Sequence, residues 1–379
     1  MHTPFGLSQS EAQSAPAGPN RLRRSLLLAG LCSTAGVQAI QRHTLTFPSD
    51  FGAHNDYRTE WWYITGYAAA GNRLFGFQLT FFRSRVDATQ GMASHFAAKQ
   101  LIFAHTAVTD VQGKRLWHDQ RIARSSGTAT LDLASTSQSD TDIVLRDWSL
   151  QRGPEGYRAH IAASEFGLEL QFRERQPLLL QGEQGLSRKG PQAEQASYYY
   201  SVPQLGVDGV ITLNGQPFQI DASATSAAWL DHEWSEALLH PNAVGWDWIG
   251  VNLFDGSALS AFQVRDKSGS ALWAGGSFRS GAKNGREPAR SFTPGEVTFN
   301  PLRRWTSAQS QASYPVAWQV QTPAGNYTVQ ALVDNQELDS RASTGAIYWE
   351  GLSDLFDSAG KRVGRGYLEM TGYASALRL

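Results

Sequence analysis

The sequence predicts an all-β protein made of two consecutive antiparallel β-barrel domains. Three observations support this prediction. Short segments with apolar residues at every second position recur along the chain, tight-turn dipeptides separate several of them, and no helical periodicity lasts beyond about two turns after residue 40. We count about 16–18 candidate strands, more than one small barrel of about eight strands holds. The length of 379 residues also suits two domains.

The predicted strands follow one another closely. The clearest runs from residue 74 to 81 and places four apolar side chains on one face: Phe75, Phe77, Leu79 and Phe81. Similar patterns occupy five further segments: 101–108, 143–145, 167–172, 271–278 and 327–333. One segment, Ala93 to Lys99, has the pattern of a short helix instead.

Two hairpin turns are explicit in the sequence. Asn214-Gly215 and Asp255-Gly256 each stand between two apolar segments. Asn-Gly and Asp-Gly supply the two positive-φ residues of a type I′ turn, which matches the twist of paired strands. We therefore expect a type I′ hairpin at each of these dipeptides.

The N-terminus has the pattern of an export signal. A basic segment, 21–24, precedes an apolar run of about 13 residues, which is too short for a membrane span of about 20. Val37-Gln38-Ala39 has the small–x–small form of a cleavage site. We predict that residues 1–39 are a signal peptide and that the mature protein is periplasmic or secreted. Arg23-Arg24 also fits the twin-arginine route, and the general route stays equally open.

Composition excludes several classes of protein. Lys and Arg number 33 against 34 Asp and Glu, so no basic excess indicates nucleic-acid binding. The single Cys, Cys32, lies in the predicted signal peptide, which excludes a disulfide framework and a Cys-rich zinc module.

The strand pattern pauses between Asp231 and Asn242. We place the domain boundary there, with domains at 40–235 and 236–379.

Several common reactions have no sequence support. The chain has no Gly-x-Ser-x-Gly elbow for a serine hydrolase, no His-Glu-x-x-His zinc motif and no Walker loop. Gly364-Arg365-Gly366 does not continue to the third Gly of a dinucleotide-binding turn. We therefore look for chemistry among acids and histidines that stand beside aromatic residues.

The first such group surrounds Glu60. It is followed by Trp61, Trp62 and Tyr63 on a predicted strand, and because side chains alternate between faces, at least one aromatic points inward. Two interpretations of Glu60 stay open. It is either half of an ion pair at a barrel rim or a buried carboxyl group that acts beside aromatic walls.

The second group is Asp231-His232-Glu233, between Trp229 and Trp234. On a strand, Asp231 and Glu233 point one way, and His232 and Trp234 point the other way. His232 is either a hydrogen-bonded core residue or a functional one. A metal site would need further ligands from elsewhere in the chain, so we predict none.

The third group is Asp247 between Trp246 and Trp248. A carboxyl group held between two indoles loses water contact, which raises its pKa and suits it to act as a general acid. The alternative is that Asp247 caps a turn before the next strand. Tyr199 and Trp349 lie in two further aromatic patches, which line a pocket or pack in the core.

The order of these motifs resembles the AttH family, which is often labelled as predicted secreted hydrolases and belongs with the carotenoid 1,2-hydratases (hydroxyneurosporene synthases). Seven segments carry the resemblance: 52–54, 59–63, 197–201, 231–234, 245–248, 348–351 and 364–369. It extends from about Phe47 to the C-terminus, nearly the whole mature chain.

The resemblance implies two consecutive lipocalin-like β-barrel domains with an apolar cavity near their junction. It also implies catalytic roles for the Asp-His-x-Trp motif, here with His232 and Trp234, and for a nearby acid, for which we take Asp247. Two features depart from the hydratases. They usually have Asn where Glu233 stands, and they typically lack an export signal.

We therefore predict a cofactor-independent acid/base enzyme that hydrates, isomerises or cyclises an apolar isoprenoid- or polyketide-like substrate. The predicted catalytic residues are Asp247, His232, Asp231 and Glu60. The predicted substrate-binding residues are Trp61, Trp62, Tyr63, Trp234, Trp246, Trp248, Tyr199 and Trp349.

Two alternatives stay open: a non-catalytic periplasmic carrier of a lipid or other apolar ligand, and a secreted hydrolase, as the family label suggests. The expected partner is an apolar small molecule or lipid. Association with a membrane surface or a transporter is a further expectation, and nucleic-acid binding is not expected.

Overall fold

Strands dominate the computed structural model, which describes residues 43–128, 132–221, 225–237 and 239–377. This part of the chain contains 24 strands and three short 3₁₀ segments, at Ser49–Phe51, Asp87–Thr89 and Ala282–Gly285. The strands form two antiparallel sheets. The predicted all-β class is confirmed, whereas the strand count was too low because strands of two to four residues show no clear alternation.

The first sheet holds the strands from the first part of the chain: β1 (Thr59–Ala70), β2 (Arg73–Arg85), β3 (Gln100–Asp110), β4 (Arg115–Ser125), β5 (Ala134–Thr136), β6 (Asp142–Leu145), β7 (Trp148–Gly153), β8 (Gly156–Ala162), β9 (Phe166–Arg173), β10 (Leu179–Leu180), β11 (Leu186–Arg188), β12 (Ala196–Leu213), β13 (Gln216–Gln219) and β14 (Ala227–Ser235). Its main order is β4-β3-β2-β1-β14-β12-β9-β8-β7-β6-β5. The end strands β4 and β5 lie beside each other, so this sheet is a nearly closed barrel.

The second sheet holds the remaining strands: β15 (Ala243–Leu253), β16 (Ala258–Asp266), β17 (Ala271–Arg279), β18 (Arg290–Phe292), β19 (Thr298–Thr306), β20 (Ser313–Thr322), β21 (Gly325–Ala331), β22 (Glu337–Asp339), β23 (Ile347–Phe356) and β24 (Arg362–Met370). Its main order is β18-β17-β16-β15-β24-β23-β21-β20-β19. The change of sheet falls between β14 and β15, and the division into two separate domains stays a prediction.

The hairpin predictions differ in outcome. Asn214 and Gly215 both have positive φ and join β12 to β13, as a type I′ turn requires. Asp255-Gly256 also joins paired strands, but only Gly256 has a positive φ. That turn is therefore a longer loop, in which the Leu253 N–H donates to the Ser257 carbonyl at 2.9 Å.

Residues 93–99 do not form the predicted helix. They belong to the connection between β2 and β3, where the Ala97 N–H donates to the Ser94 carbonyl and closes a single turn. Among the described residues, no helix has the length and apolar character needed to cross a bilayer. The predicted signal peptide, including Cys32 and Arg23-Arg24, lies outside the described residues.

Each sheet encloses an apolar core, and a third apolar cluster lies between the sheets. The predicted face of β2, with Phe75, Phe77, Leu79 and Phe81, packs inside the first barrel. Between the sheets, Trp248 of β15 meets Tyr63 edge-on at 5.4 Å and Trp229 at 6.5 Å between ring centroids. The outer face of β1 and β14 is therefore covered by the second sheet and not by solvent.

Candidate functional site

The alternation of side chains along β1 divides the predicted site. Trp61 and Tyr63 point out of the first barrel towards the second sheet, and Glu60 and Trp62 point into the barrel interior. Trp62 is 1% exposed and donates its indole N–H to the Phe51 carbonyl at 3.3 Å. Trp62 therefore belongs to the barrel core and not to the substrate wall that we predicted.

Strand β14 repeats this division beside β1. Asp231 lies opposite Tyr63, and Glu233 lies opposite Trp61, all on the outer face. His232 and Trp234 point into the barrel interior. The alternation predicted for residues 231–234 is therefore confirmed, but it separates His232 and Trp234 from the two acids with which we had grouped them.

Inside the barrel, Glu60 is the centre of an ionic cluster. Its Oε2 accepts from Arg83 Nε at 2.7 Å, and its Oε1 lies 2.9 Å from His232 Nε2 and 2.7 Å from His54 Nδ1. Glu60 and Arg83 are both fully buried. Burial works to raise the pKa of Glu60, but the two histidines and Arg83 outweigh it and lower the pKa. Glu60 is thus a buried, ion-paired carboxylate.

The cluster extends in both directions from Glu60. His54 Nε2 lies 3.1 Å from Asp50 Oδ1, and His232 Nδ1 lies 3.0 Å from the Tyr200 hydroxyl. The ring of His54 stacks on Trp234 at 3.7 Å between centroids. Burial lowers the pKa of His232 to about 4, so this imidazole is neutral near pH 7. It is a hydrogen-bonded core residue, and its contacts in the described structure lie inside the barrel and not at the cavity.

Within the described part of the chain, one group of residues could hold a metal ion: His54, Glu60 and His232. One ligand atom from each lies within 4.8 Å of the others. Oε1 of Glu60 already contacts one nitrogen of each histidine, and the second oxygen of Glu60 is bound by the cationic Arg83. A divalent cation would have to displace these contacts beside a buried positive charge. The three side chains therefore fit the ionic cluster that they form better than they fit a metal site.

A cavity of ≈ 330 Å³ lies between the outer face of the first sheet and the second sheet. Of the predicted substrate-binding residues, five line it: Trp61, Tyr63, Tyr199, Trp246 and Trp248. Its walls are largely aromatic and aliphatic, and five acids line it: Glu60, Asp231, Glu233, Glu350 and Glu369. Glu60 borders the cavity from β1, although Arg83 and two histidines hold its carboxylate inside the barrel. The cavity therefore combines apolar walls with an unusual number of carboxyl groups.

Asp231 is held in the first-sheet wall by three donors. Trp229 Nε1 donates to Oδ1 at 2.7 Å, the Ser201 hydroxyl donates to Oδ1 at 2.5 Å, and the Tyr199 hydroxyl donates to Oδ2 at 2.7 Å. Asp231 is 3% exposed. Burial raises the pKa of Asp231 to about 7, although all three donors act to lower it. This carboxyl group exists in both protonation states near neutral pH, as acid/base catalysis requires.

Glu233 has a different environment on the same wall. Its Oε1 lies 3.1 Å from Lys189 Nζ and accepts a hydrogen bond from the Ser197 hydroxyl. The ammonium group of Lys189 also lies 4.5 Å from the centre of the Phe262 ring. Glu233 is thus a paired carboxylate, whereas Asp231 has no cationic partner among the described contacts.

Glu350 and Glu369 form the acidic part of the opposite wall. They are direct neighbours across β23 and β24, with their side chains towards the cavity. Burial raises the pKa of Glu350 well above its usual range, and the neighbouring Glu369 raises it further. Burial also raises the pKa of Glu369. We had not predicted these two acids as site residues. Both lie in the motifs that resemble the AttH family, but the β23–β24 register that pairs them is not visible in the sequence.

The structure corrects the prediction for Asp247. Along β15, Trp246 and Trp248 face the cavity, so Asp247 between them points to the opposite face. There its carboxylate accepts hydrogen bonds from Arg265 and Gln263, both at 2.7 Å. Burial raises the pKa of Asp247 and outweighs Arg265, but the group is buried on the far side of the sheet from the substrate space.

Trp349 is also absent from the cavity. It is fully buried in the core of the second sheet, and its indole N–H donates to the Asp334 carbonyl at 2.7 Å. Strand alternation again explains the difference, because Glu350 next to it points into the cavity.

The model of the AttH-like family matches residues 38–373 of this chain. The chain belongs to the AttH-like family. The solved structure of an AttH protein from Nitrosomonas europaea has 48% sequence identity and a TM-score of 0.80, and the match covers 88% of this chain and 99% of that one. No curated protein matches this AttH-like chain.

A more distant structure has the same fold. Kievitone hydratase from Nectria haematococca matches this AttH-like protein with a TM-score of 0.66 at 14% identity, over 88% of this chain and 94% of that one. At that identity the likeness shows the fold alone. The predicted lipocalin-like fold is confirmed.

Proposed function

We propose that this protein is a cofactor-independent acid/base enzyme that acts on an apolar small molecule in the cavity between the two sheets. The reaction is a hydration, an isomerisation or a cyclisation, and the substrate is isoprenoid- or polyketide-like. One observation supports the proposal above all: Asp231 places a carboxyl group with a pKa of about 7 in an aromatic cavity.

Asp231 replaces Asp247 as the general acid in this proposal. Below about pH 7 its carboxyl group is protonated and can deliver a proton to a substrate double bond. Tyr199, Ser201 and Trp229 fix its orientation. A positioned general acid contributes roughly 10²–10⁴-fold to a reaction rate. A single substitution of Asp231 should therefore remove the proton transfer.

The aromatic walls suit the charge that such a proton transfer creates. Protonation of an alkene leaves a carbocation, and an aromatic face stabilises a desolvated cation by up to about 2 kcal/mol. Trp61, Trp246 and Trp248 present indoles to the cavity. In a hydration, Glu233 with its partner Lys189 would orient the water that captures the cation. The shared fold with a protein named as a hydratase supports hydration as one of the candidate reactions.

Native mass spectrometry followed by solvent extraction of the purified protein tests the proposal. We expect an apolar polyene, polyketide or lipid to co-purify. Incubation of that compound with the protein in ¹⁸O-water should add labelled oxygen if the reaction is hydration. In ²H₂O, label on carbon without new oxygen would indicate isomerisation or cyclisation. Both labels should be lost in Asp231→Asn.

The same experiment separates the enzyme from a carrier. A compound that binds and returns unlabelled from both solvents would contradict catalysis and favour a periplasmic carrier.

We do not propose hydrolysis. Ser343 and His105 both line the cavity, and Ser343 Oγ lies 2.8 Å from His105 Nε2. The single O–H of Ser343 donates to Gln120 Oε1 at 2.6 Å, and burial lowers the pKa of His105 to about 3, so this imidazole is a weak base for activating a nucleophile.

We also propose that the protein is exported by means of residues 1–39. The basic segment, apolar run and small-residue exit support this. Association with a membrane surface or a transporter belongs to the same proposal, since an exported protein would take an apolar substrate from a lipid phase.

A further inference from the structure

Two buried oxygens at the cavity lie close enough to interact with each other, but within the described structure neither makes a hydrogen bond of normal geometry. They are the hydroxyl of Tyr63 and Oε1 of Glu350. Tyr63 is 6% exposed and Glu350 is 2% exposed, and both line the cavity. They come from opposite walls, β1 of the first sheet and β23 of the second. Buried polar groups nearly always make well-formed hydrogen bonds, so two neighbouring ones that make none beside the same space indicate a ligand with a polar atom.

The neighbours of Glu350 determine which partner it can accept. Glu369 stands directly across the β23–β24 ladder, and two buried carboxylates side by side repel each other. Burial raises the pKa of both acids well above the usual range of a carboxyl group. Burial likewise raises the pKa of the Tyr63 hydroxyl. Near neutral pH, Glu350 and Tyr63 therefore both present an O–H donor.

Two convergent donors fit an oxygen acceptor better than a cation. A cationic ligand would require ionised acids, but Glu350 and Glu369 retain their protons, and Glu233 is already paired with Lys189. A carbonyl oxygen has two lone pairs and can accept from both donors at once. A tyrosine with a neutral carboxylic acid is a combination that enzymes use to hold the oxygen of a ketone during enolisation.

We propose that Tyr63 and Glu350 form a subsite that donates two hydrogen bonds to the carbonyl oxygen of an apolar ketone or enone. The hydrocarbon part of this ligand packs on Trp61, Trp248 and Phe262. The assignment rests on the proposed function, because it names the substrate class of the same cavity. It adds a binding role for two side chains that interact with each other but make no hydrogen bond of normal geometry within the described part of the chain.

The position of Asp231 beside this subsite defines a balanced reaction. Asp231 is the direct cross-strand neighbour of Tyr63. Its carboxylate form removes a proton from the carbon next to the carbonyl group. The C–H electron pair forms a carbon–carbon double bond, and the carbonyl oxygen becomes an enolate that Tyr63 and Glu350 stabilise. In a β,γ-unsaturated ketone the proton returns from Asp231 to the γ-carbon, so the double bond shifts without any co-reactant.

Binding of three matched probes tests the subsite without any turnover. The probes are 2-acetylnaphthalene, which carries a ketone, 2-ethylnaphthalene, its hydrocarbon counterpart, and 1-(2-naphthyl)methylammonium, a cation. Quenching of tryptophan fluorescence reports their binding because three indoles line the cavity. For the wild-type protein we expect the ketone to bind about tenfold more tightly than the hydrocarbon. Equal affinity for these two, or tighter binding of the ammonium probe, would overturn the proposal.

Variants assign the preference to the two donors. Tyr63→Phe and Glu350→Leu should each reduce the ratio of ketone to hydrocarbon affinity severalfold, and Glu350→Gln should keep part of it because its amide still donates. Phe82→Leu, an apolar change in the same cavity, should weaken both probes alike. An unchanged ratio in Tyr63→Phe would contradict the proposal even if Glu350→Leu failed to fold. Asp231→Asn should keep the ketone preference, so failure of the subsite is distinguishable from failure of the proposed catalysis.

Discussion

At the scale of single residues, Asp231 shows how burial and hydrogen bonding oppose each other. Three donors favour its carboxylate form, but removal from water favours the neutral form more strongly, and the pKa rises to about 7. The folded protein therefore keeps a proton on Asp231 that the unfolded chain releases near pH 4. Where the folded state binds more protons, its stability falls as the pH rises.

This linkage predicts a specific pH dependence. Between about pH 4 and pH 7, Asp231 should cost stability increasingly as the pH rises, with a total of roughly 2–4 kcal/mol. Asp231→Asn lacks this cost. The difference in unfolding free energy between Asp231→Asn and the wild type, measured by urea unfolding, should therefore be more favourable to the variant at pH 8 than at pH 4. The exposed change Glu155→Gln should follow the wild type at each pH. A constant difference between Asp231→Asn and wild type would show that Asp231 has an ordinary pKa.

Glu60 has the opposite character and supports a second prediction. It is a buried carboxylate that Arg83 and two histidines contact, so its removal leaves a buried cation unpaired. We expect Glu60→Gln to lower the free energy of unfolding by about 3–5 kcal/mol. The matched control is Glu236→Gln, which breaks the partly exposed pair with Arg85 and should cost at most about 1 kcal/mol. Equal losses in urea unfolding would contradict a structural role for Glu60.

At the scale of strands, the alternation of β15 shapes the cavity. Trp246, Trp248 and Gly250 share a face, and a Cβ on Gly250 would lie 2.2 Å from the ring of Trp248. The glycine therefore gives the indole room to lie between Tyr63 and Trp229.

Gly250→Ala should displace this indole. We expect a loss of about 1–3 kcal/mol in unfolding free energy, together with weaker binding of 2-ethylnaphthalene. Gly153→Ala is the control, because a Cβ there meets no atom within 4 Å. If Gly250→Ala and Gly153→Ala have the same stability and affinity, the packing described for Trp248 is wrong.

Strand alternation also decides how much of the site the sequence could predict. Alternation correctly predicted that His232 and Trp234 point to the opposite face of the strand from Asp231 and Glu233. The same rule, applied to β15, would have placed Asp247 on the opposite face from its two tryptophans. Which face meets the second sheet was not predictable, because both faces of β1 and β14 are rich in aromatic and ionisable residues and both are buried. Glu350 and Glu369 required the register of β23 and β24, which depends on contacts between distant segments.

At the scale of the whole molecule, the cavity results from two sheets that face each other. The all-β class followed from short alternating segments and turn dipeptides, since these are local properties of the chain. The cavity between the sheets is a tertiary property that no local pattern records. Side chains on the inner face of each sheet pack into a closed core. Side chains on the faces between the two sheets leave a cavity of ≈ 330 Å³.

The proposed export also belongs to this scale. Expression of the full chain should yield a periplasmic or secreted form that begins at Ile40, as N-terminal sequencing would show. If the twin-arginine route is used, replacing Arg23-Arg24 by Lys-Lys should block export, while Arg21→Lys should not. Retention of residues 1–39 in the exported protein would contradict the predicted cleavage.

The central claim is that Asp231, and not Asp247, is the acid/base group of this protein. The most direct measurement compares the turnover rates of Asp231→Asn and Asp247→Asn on the compound that co-purifies, with folding of each variant checked by circular dichroism. The two substitutions make the same chemical change, one at the cavity and one on the side of the second sheet that faces away from it. We expect a loss of roughly 10²–10⁴-fold for Asp231→Asn and activity within a few-fold of the wild type for folded Asp247→Asn. Wild-type turnover in Asp231→Asn, or loss of turnover only in Asp247→Asn, would contradict the account.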